Sequence, residues 1–374
     1  MPIDRNAESP LDRPLPEDRI QINTTNRSAM TMIGPLPINK ESQLNGSLCG
    51  GDFNQHRLCR RSKMKVAVVN RFFNQLELKE MSAPLIGSGE VLIRMHDCCG
   101  GCHIGCHSTA CVTASSNRPS PQYMGIVCGI GKGVSSLAVG DRVGLPCFHS
   151  ACGECGYCRS GKERMCEHQL EDSEAVFGDG VDYGVFPASH VVKIPGNLHF
   201  QEAAPIFCKG VLIYKALKES RVKQGEWVAV FGMAGQGHLA VQYAKAMGLR
   251  VVAVDERREN RELAKKSGAD MILDTEDTDP VAVIMQKIGG VHASLCLDIR
   301  QNPFRQSYLA VRRGGTVALV WSPHEELKVP QFDKVLFGIR IKGSIVGTRK
   351  DVKEALDFVA GGKVKACLRR LSIG

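Results

Sequence analysis

Between residues 227 and 255, the spacing of apolar residues changes its period twice. Residues 228–231 form a short apolar run of the kind found in a parallel strand that is buried on both faces. Glycines then dominate residues 232–237, after which apolar residues recur at the 3.6-residue period of one helix face. Gly248 is a natural helix stop, and a second apolar run covers residues 251–254. The pattern predicts a strand, a tight turn, a helix and a second strand.

This order of elements suits the binding of a dinucleotide. Gly232, Gly235 and Gly237 leave room for a pyrophosphate to reach the amides at a helix N-terminus, where the helix dipole favours an anion. Asp255 follows the second strand, where a carboxylate can accept hydrogen bonds from both ribose hydroxyls and repels a 2′-phosphate. The sequence therefore predicts NAD in preference to NADP. A glycine-rich turn that serves only packing is the alternative interpretation.

Strands and helices continue to alternate after this unit. Residues 255–268 predict a charged helix, residues 269–274 a strand, residues 314–320 a late strand and residues 352–359 a further helix. Strands that alternate with helices are typical of a doubly wound parallel sheet with helices on both faces. We therefore expect an α/β fold in this half of the chain.

The preceding residues have a different character. Residues 64–70 and 90–95 predict strands, and residues 125–134 together with Gly140 read as strands and turns of a small β-domain. Residues 1–63 are rich in Pro, Asn, Ser, Arg and Asp and show no sustained period, which predicts a disordered N-terminal extension. A tail that binds a partner is the alternative for that extension.

Length and composition agree with two globular domains. The chain has 374 residues, and 43% of them are hydrophobic, which is ample for sizeable cores. The net charge of +9 is spread along the sequence without a long basic run or interleaved aromatic residues, so we expect no binding to nucleic acid. No apolar segment has the length of a transmembrane helix, and the N-terminus lacks the apolar core of a signal peptide. We expect no membrane association and a cytoplasmic location.

Four of the 16 cysteines have the spacing of metal ligands. Cys152, Cys155, Cys158 and Cys166 form the pattern C-x2-C-x2-C-x7-C, and four thiolates at these intervals can surround one tetrahedral Zn²⁺ with no open position. The pattern predicts a structural zinc site, with a redox role of the C-x2-C pairs or four unrelated thiols as alternatives. Residues 98–111 also hold cysteine and histidine close together, but spacing alone does not separate a metal site from buried thiols there.

Five longer motifs occur in a fixed order along the chain: GEVLIRMHDCCGGCH at 89–103, VGDRVG at 139–144, CGECGYC at 152–158, APIFCKG at 204–210 and VQYAKAMG at 241–248. Through them, the chain from Met64 to nearly its end resembles the zinc-containing medium-chain alcohol dehydrogenases, particularly the yeast and bacterial branch. The resemblance implies a GroES-like β-rich catalytic domain plus a Rossmann domain with a doubly wound parallel sheet.

The resemblance also implies a division of the chain. The catalytic domain takes residues 64–208 and carries the structural zinc lobe, the Rossmann NAD-binding domain takes residues 209–343, and residues 344–374 return to the catalytic domain. The family normally has further strands after this last helix, so we expect an unpaired edge in that domain. The implied activity is an NAD(H)-dependent interconversion of an alcohol and an aldehyde or ketone, carried out in the cleft between the domains.

The resemblance assigns Cys102 and Cys208 as two of the three protein ligands of a catalytic zinc and His107 as the relay histidine. The third ligand has no counterpart, because residues 120–122 read Ser-Pro-Gln where the family has Gly-His-Glu. The catalytic zinc set is therefore incomplete in this sequence. Replacement of the third ligand from nearby cysteine or histidine residues is the alternative.

Other departures from the family pattern fall in the same cleft. Ile104 stands where a hydroxyl normally passes on the alcohol proton, and Gly105 stands where an aspartate normally orients a zinc ligand. Leu212 replaces a threonine at the nicotinamide end, and Trp321 replaces a glycine and is expected to crowd the nicotinamide ring. These differences predict slow turnover of simple alcohols.

His103 and Arg349 match positions that contact the cofactor pyrophosphate in the family, although a loop histidine and a solvated helix-start arginine are the alternative interpretations. The family also implies a homo-oligomer, as a dimer or tetramer. Two other functions stay open from the sequence. One is a catalytically weak NAD-binding relative with a degraded zinc site, and the other is a zinc-stapled binding or scaffold protein.

Overall fold

The computed structural model describes residues 63–69, 76–82, 84–97, 124–146, 151–168, 183–297, 301–320, 328–329, 336–344 and 347–367. The predicted extension at residues 1–63 lies outside this part of the chain, apart from Lys63. Among the helices within these ranges, none has the length and apolar character needed to cross a membrane.

Short antiparallel strands and brief helices make up the first half of the described chain. The elements are β1 (Lys63–Val69), β2 (Leu76–Ser82), β3 (Glu90–Asp97), β4 (Met124–Ile130), β5 (Arg142–Gly144), α1 (Gly156–Arg159), β6 (Tyr183–Pro187), β7 (Val192–Lys193) and α2 (Phe200–Ala203). Short 3-10 turns cover Glu163–Met165, Ala188–His190 and Ala204–Ile206. β1 pairs with β2, and the other five strands form a sheet in the order β6-β3-β4-β5-β7.

One face of this five-stranded sheet covers a small core of its own. Val91 and Ile93 lie two residues apart on β3, so their side chains leave the same face, and both are fully buried. They belong to one apolar cluster with Val127, Val143 and Phe186 from the neighbouring strands. The strands predicted at residues 64–70 and 90–95 are confirmed by β1 and β3.

Strands and helices alternate in the second half. The elements are α3 (Lys209–Glu219), β8 (Trp227–Phe231), α4 (Gly237–Ala246), β9 (Arg250–Val254), α5 (Arg258–Lys266), β10 (Met271–Leu273), α6 (Pro280–Ile288), β11 (Val291–Cys296), α7 (Gln301–Leu309), β12 (Val311–Leu319), β13 (Arg340–Gly343) and α8 (Arg349–Ala360). The six strands are parallel and lie in the order β10-β9-β8-β11-β12-β13. This is the strand order of a Rossmann sheet, so the predicted doubly wound fold is confirmed.

The parallel sheet is covered on both faces. Val228 and Val230 of β8 pack into one apolar cluster, whereas Ala229 and Phe231 of the same strand pack into another. Successive side chains of a strand point to opposite faces, so an uninterrupted apolar run is what two covered faces require. The domain boundaries at residues 208 and 343 stay a prediction, with residue 208 directly preceding α3.

α8 packs into the apolar cluster that contains Val228 and Val230, and salt bridges connect it to α3. Lys218 of α3 lies 2.9 Å from a carboxylate oxygen of Asp351 and 2.6 Å from one of Glu354. Burial alone raises the pKa of the Asp351 carboxyl, but the backbone N–H of Thr348 and the Lys218 ammonium outweigh burial and keep that pKa below its ordinary value. The contact holds α8 in a defined orientation on α3.

After α8 the chain returns along α4. Gln242 bonds both backbone groups of Lys365, accepting from its N–H at 2.8 Å and donating to its carbonyl at 3.0 Å. The ring of His238 accepts a hydrogen bond from the N–H of Cys367 at 3.0 Å. In the described sheet β6 and β7 are the edge strands, and residues 368–374 lie outside the described ranges.

Leu356 of α8 is fully buried in the apolar cluster that contains Val228 and Val230. We expect Leu356→Ala to lower the free energy of unfolding by roughly 2–5 kcal/mol, because the substitution removes buried methyl groups and leaves a cavity. Urea-induced unfolding followed by circular dichroism measures the change. Asp357→Ala, at the adjacent exposed position, is the control and is expected to change stability by less than about 0.5 kcal/mol. Equal losses in both variants contradict the assigned packing of α8.

Candidate functional site

The glycine-rich turn begins where β8 ends and leads into α4. Gly232 and Gly235 adopt φ angles of 93° and 67°, which non-glycine residues rarely reach. Gly237 begins α4, and a Cβ placed there lies 2.8 Å from the carbonyl oxygen of Gly232. A side chain at that position therefore has no room. The three glycines predicted for this turn lie together, and the N-cap residue Gln236 makes no side-chain hydrogen bond to the first turn of α4.

Asp255 lies beside this turn because β8 and β9 are neighbours in parallel register. Phe231 pairs with Val254, so the residues that follow the two strands emerge at the same sheet edge. The carboxylate of Asp255 accepts from the N–H of Met233 at 2.6 Å and from the N–H of Arg257 at 2.9 Å. The structure thus brings together the predicted acid and the predicted glycine turn.

Asn260 also donates to the Asp255 carboxylate, at 3.0 Å, a contact that was not inferred from the sequence. The two arginines that follow Asp255 are exposed, and Arg258 is engaged by Glu262 at 3.1 Å. A cavity of about 110 Å³ adjoins Gly232 and Asp255. Its lining comes from the carboxyl ends of β8 and β9, from Thr275 after β10 and from α7, so it lies at the edge at which open parallel sheets bind ligands.

Gln236 is the residue before α4, and its side chain is buried at the turn. Its amide oxygen has no hydrogen-bond partner among the atoms of the structure, although the residue is only 7% exposed. A buried polar atom without a partner is costly and calls for a ligand or a water. The oxygen lies at the same turn, and as an acceptor it is available to a hydroxyl or a water.

The four cysteines of the C-x2-C-x2-C-x7-C pattern form a cluster. All four sulfur atoms lie within 4.8 Å of one another, and Cys152 Sγ lies 3.9 Å from Cys158 Sγ. Four sulfurs about 2.3 Å from a tetrahedral Zn²⁺ are separated by about 3.8 Å. Within the described part of the chain this is the single group of three or more metal-ligating side chains. The donor set and its dimensions fit one zinc ion with no open position.

Backbone N–H groups point at the sulfurs of this cluster. The N–H of Cys158 donates to Cys155 Sγ, and this bond lowers the pKa of the Cys155 thiol to about 6. The N–H groups of Cys155 and Glu154 likewise lower the pKa of Cys152. The pKa of Cys158 is raised to about 12, first by desolvation and then by the neighbouring thiols. Thiolates crowded together in this way are stabilised by a bound cation.

Two contacts outside the cluster hold its loop. The ring of His190 accepts from the N–H of Ala151 at 2.9 Å, next to the first cysteine. Arg349, at the start of α8, lies 2.7 Å from a carboxylate oxygen of Glu163, between the third and fourth cysteines. Arg349 does not line the cavity beside Asp255. Its assignment to the cofactor pyrophosphate stays a prediction, with Glu163 as its observed partner.

Comparison with known families and structures agrees with this geometry. Residues 87–196 match the alcohol dehydrogenase GroES-like domain, and residues 235–361 match the zinc-binding dehydrogenase family. An alcohol dehydrogenase of Geobacillus stearothermophilus is 49% identical over 306 residues, which cover 81% of this chain and 90% of that protein.

The chain belongs to the zinc-containing medium-chain alcohol dehydrogenase family.

Two solved structures of this dehydrogenase type share the fold. The alcohol dehydrogenase of the archaeon Aeropyrum pernix has a TM-score of 0.69 at 25% identity and covers 80% of this chain and 91% of its own. The acetophenone reductase of Geotrichum candidum, solved in complex with NAD, has a TM-score of 0.69 at 27% identity, with coverages of 81% and 88%.

The catalytic residues expected for an alcohol dehydrogenase fall partly outside the described residues. Cys102, His103 and His107 lie there, as do residues 120–122 and Trp321. Cys208 is described, and it is buried at the residue that directly precedes α3. Its role as a catalytic zinc ligand stays a prediction.

We expect Cys155→Ser to remove the zinc held by the cysteine cluster, because three thiolates and a neutral hydroxyl form a much poorer site. Zinc content per chain, measured by inductively coupled plasma mass spectrometry after dialysis, should fall by roughly one ion, and the loop should become sensitive to proteolysis. Cys367→Ser, an exposed cysteine outside the cluster, is the matched control and should keep the zinc. Full zinc content in Cys155→Ser would falsify the assignment.

Proposed function

We propose that this protein is an NAD(H)-dependent oxidoreductase that interconverts an alcohol and an aldehyde or ketone by hydride transfer. The observation that carries this proposal is the joint position of the glycine turn, the α4 N-terminus and Asp255 at one sheet edge. Membership of the alcohol dehydrogenase family supports the same reaction class. The substrate is a small molecule.

The residues of the turn fit a dinucleotide. Gly235 has open space at the place of a Cβ, whereas at Gly237 that place is taken by the Gly232 carbonyl, which lets α4 begin close to the turn. The buried Gln236 amide oxygen, an acceptor, is available to a hydroxyl of the ligand. A bound pyrophosphate finds backbone N–H groups and the positive end of the α4 dipole there. When bound, the nicotinamide supplies the hydride acceptor or donor. The protein binds and orients the dinucleotide through these groups.

Preference for NAD over NADP is part of the proposal. The Asp255 carboxylate already accepts from Met233, Arg257 and Asn260, which fixes its direction. An ionised carboxylate has about four acceptor positions, so it retains capacity for a ribose hydroxyl. A 2′-phosphate at the same place meets a fixed negative charge. Of the two arginines that follow Asp255, Arg258 forms a salt bridge with Glu262.

For the catalytic zinc we propose weak or absent binding. Cys102 and Cys208 supply two thiolates, whereas the catalytic zinc of such enzymes uses three protein ligands and keeps one open position. Pro121 occupies the position of the family's ligand histidine and has no side-chain donor. His107 is proposed as the proton relay, but Ile104 interrupts the hydroxyl path that normally leads to it.

The same departures favour a second candidate function, a catalytically weak relative that still binds NAD(H). Gly105 adds to this case, because loss of a carboxylate that orients a metal ligand typically costs about tenfold to a hundredfold in metal affinity or activity. Nicotinamide-dependent turnover separates the two candidates. Failure to bind any dinucleotide supports the third possibility, a zinc-stapled scaffold. A homo-oligomer of two or four chains and a cytoplasmic location complete the proposal.

We expect the protein to bind NADH more tightly than NADPH, by about tenfold or more, because Asp255 faces the position of the 2′-phosphate. Asp255→Asn removes the charge at nearly constant size and should narrow the ratio of the two dissociation constants, measured by nucleotide fluorescence. Asp357→Ala removes an exposed carboxylate elsewhere and should leave the ratio unchanged. Equal binding of both nucleotides by the unchanged protein contradicts the role of Asp255.

We also expect roughly one tightly held zinc per chain, preserved NADH binding and slow oxidation of simple alcohols. A triple variant, Ser120→Gly, Pro121→His and Gln122→Glu, restores the family motif and should raise the zinc content towards two and increase ethanol oxidation. Zinc content and initial rates measure both effects. Two zinc ions with brisk ethanol oxidation in the unchanged protein show that another side chain supplies the third ligand.

A further inference from the structure

A cavity of about 1140 Å³ lies on a different part of the molecule from the Asp255 edge. Its walls come from the cysteine-bearing loop, the region of the Ala188–His190 turn, α3, β13 and the first turn of α8. It shares no described lining residue with the small cavity beside Asp255. The proposed dinucleotide site does not account for it.

The charge of the cavity wall is strongly one-sided. Of the described residues that line it, nine are lysine or arginine and three are aspartate or glutamate. Two further carboxylates outside the lining, Asp141 and Glu354, pair with lysines of the wall, so nine positive charges face five negative ones and the surplus is four. A concave surface of one sign focuses its field and raises the local concentration of counter-ions.

Lys215 shows that part of this charge is buried. It is only 8% exposed, and its nearest described carboxylate, Glu219, is 4.0 Å away. Lys342 contacts the other oxygen of the same carboxylate at 3.6 Å. Burial lowers the pKa of Lys215, and the positive charges of Lys342 and Arg164 act in the same direction against the opposing effect of Glu219. One carboxylate thus serves two ammonium groups that repel each other.

Glu354 of α8 is likewise shared between two lysines. Glu354 accepts from Lys218 at 2.6 Å and also pairs with Lys350 at 3.8 Å. Lys162 and Lys353 line the cavity, are exposed, and form no salt bridge with any described residue. Lys162 and Lys353 therefore add positive charge to the wall that no described carboxylate pairs with.

The shape of the wall favours a small ligand over a nucleic acid. Side chains converge from elements that are far apart in sequence, and the cavity is comparable to small-molecule pockets, which are typically about 300–1,000 Å³. Single-stranded nucleic acid requires aromatic side chains on which bases can stack, and no described lining residue is aromatic. Leu137, Met165 and Val191 supply an apolar portion instead.

We propose that this cavity binds a small anion that carries several phosphate groups. The anion is held by Lys215, Lys342, Lys162 and Lys353, and it relieves the repulsion between their charges. Free polyphosphate and the triphosphate of a nucleotide share this chemistry. The cysteine loop and α8 both contribute to the wall, so the bound anion also links these two elements.

Isothermal titration calorimetry of the full-length, zinc-loaded protein with inorganic tripolyphosphate tests the proposal. We expect binding that weakens as salt is raised, because added ions screen the attraction. The double variant Lys162→Met, Lys353→Met changes two exposed residues and should weaken binding by about tenfold or more. Lys215→Met with Lys342→Met should weaken it at least as much, provided its thermal unfolding shows a folded protein.

The matched control is Lys265→Met with Lys287→Met, which removes two exposed lysines outside the cavity. It should leave the affinity within about twofold. Absence of tripolyphosphate binding at millimolar concentration, or equal weakening by the control, overturns the proposal.

Two further titrations identify the source of the anion and separate this site from the cofactor. Binding of ATP more tightly than tripolyphosphate supports a nucleotide ligand, and equal binding supports free polyphosphate. Saturating NADH should leave tripolyphosphate affinity unchanged. Competition by NADH overturns the proposal and places Arg349 and this cavity in the cofactor's own pyrophosphate site.

Discussion

Both faces of β8 and β9 are covered by apolar side chains. Polar groups of these strands that can bind a ligand therefore lie where the strands end. Val228 and Phe231 illustrate the constraint, since they leave the same strand in opposite directions and both are buried. The parallel register then brings the two strand ends to one edge. The bond from Met233 to Asp255 fixes the turn at this edge, and the start of α4 follows from it.

α8 connects the cysteine loop of the first half of the chain with α3 of the second half. Its first turn meets the cysteine loop through Arg349 and Glu163, and its next residues meet α3 through Asp351 and Lys218. The thiolates of the loop and the packing of the parallel sheet are thereby connected through one helix. The basic cavity is lined by residues of all three elements, the cysteine loop, α3 and α8.

Sequence periodicity predicted the elements that depend on local pattern and missed those that depend on distant partners. The helix predicted at 352–359 is confirmed as Arg349–Ala360, and its earlier start follows from Thr348, which caps the helix together with Asp351. α6 was not predicted, although Asp279 before Pro280 is a helix-start signal with a clear mechanism. The cysteine spacing was sufficient to predict the cluster.

Other parts of the site could not be inferred in advance. Arg349 and Glu163 are 186 residues apart, and no local pattern relates them. His190 supports the loop through a single ring nitrogen and carries no periodic signal. The buried amide of Gln236 became informative only when its surroundings were known. Cys102 and His107, on which the predicted chemistry depends, lie outside the described residues.

The attachment of the returning chain to α4 has a consequence for the response to acid. His238 accepts from the N–H of Cys367, so its ring must be neutral for that bond to exist. Burial lowers the pKa of His238, with Lys209 acting in the same direction and a hydrogen bond to Gly235 opposing both. The stabilisation is therefore present above the ordinary pKa of histidine and is lost as the pH falls through the lowered value. Protonation removes the bond from Cys367 but favours the one to Gly235, so a single proton releases the chain's return segment while the ring stays attached to the glycine turn.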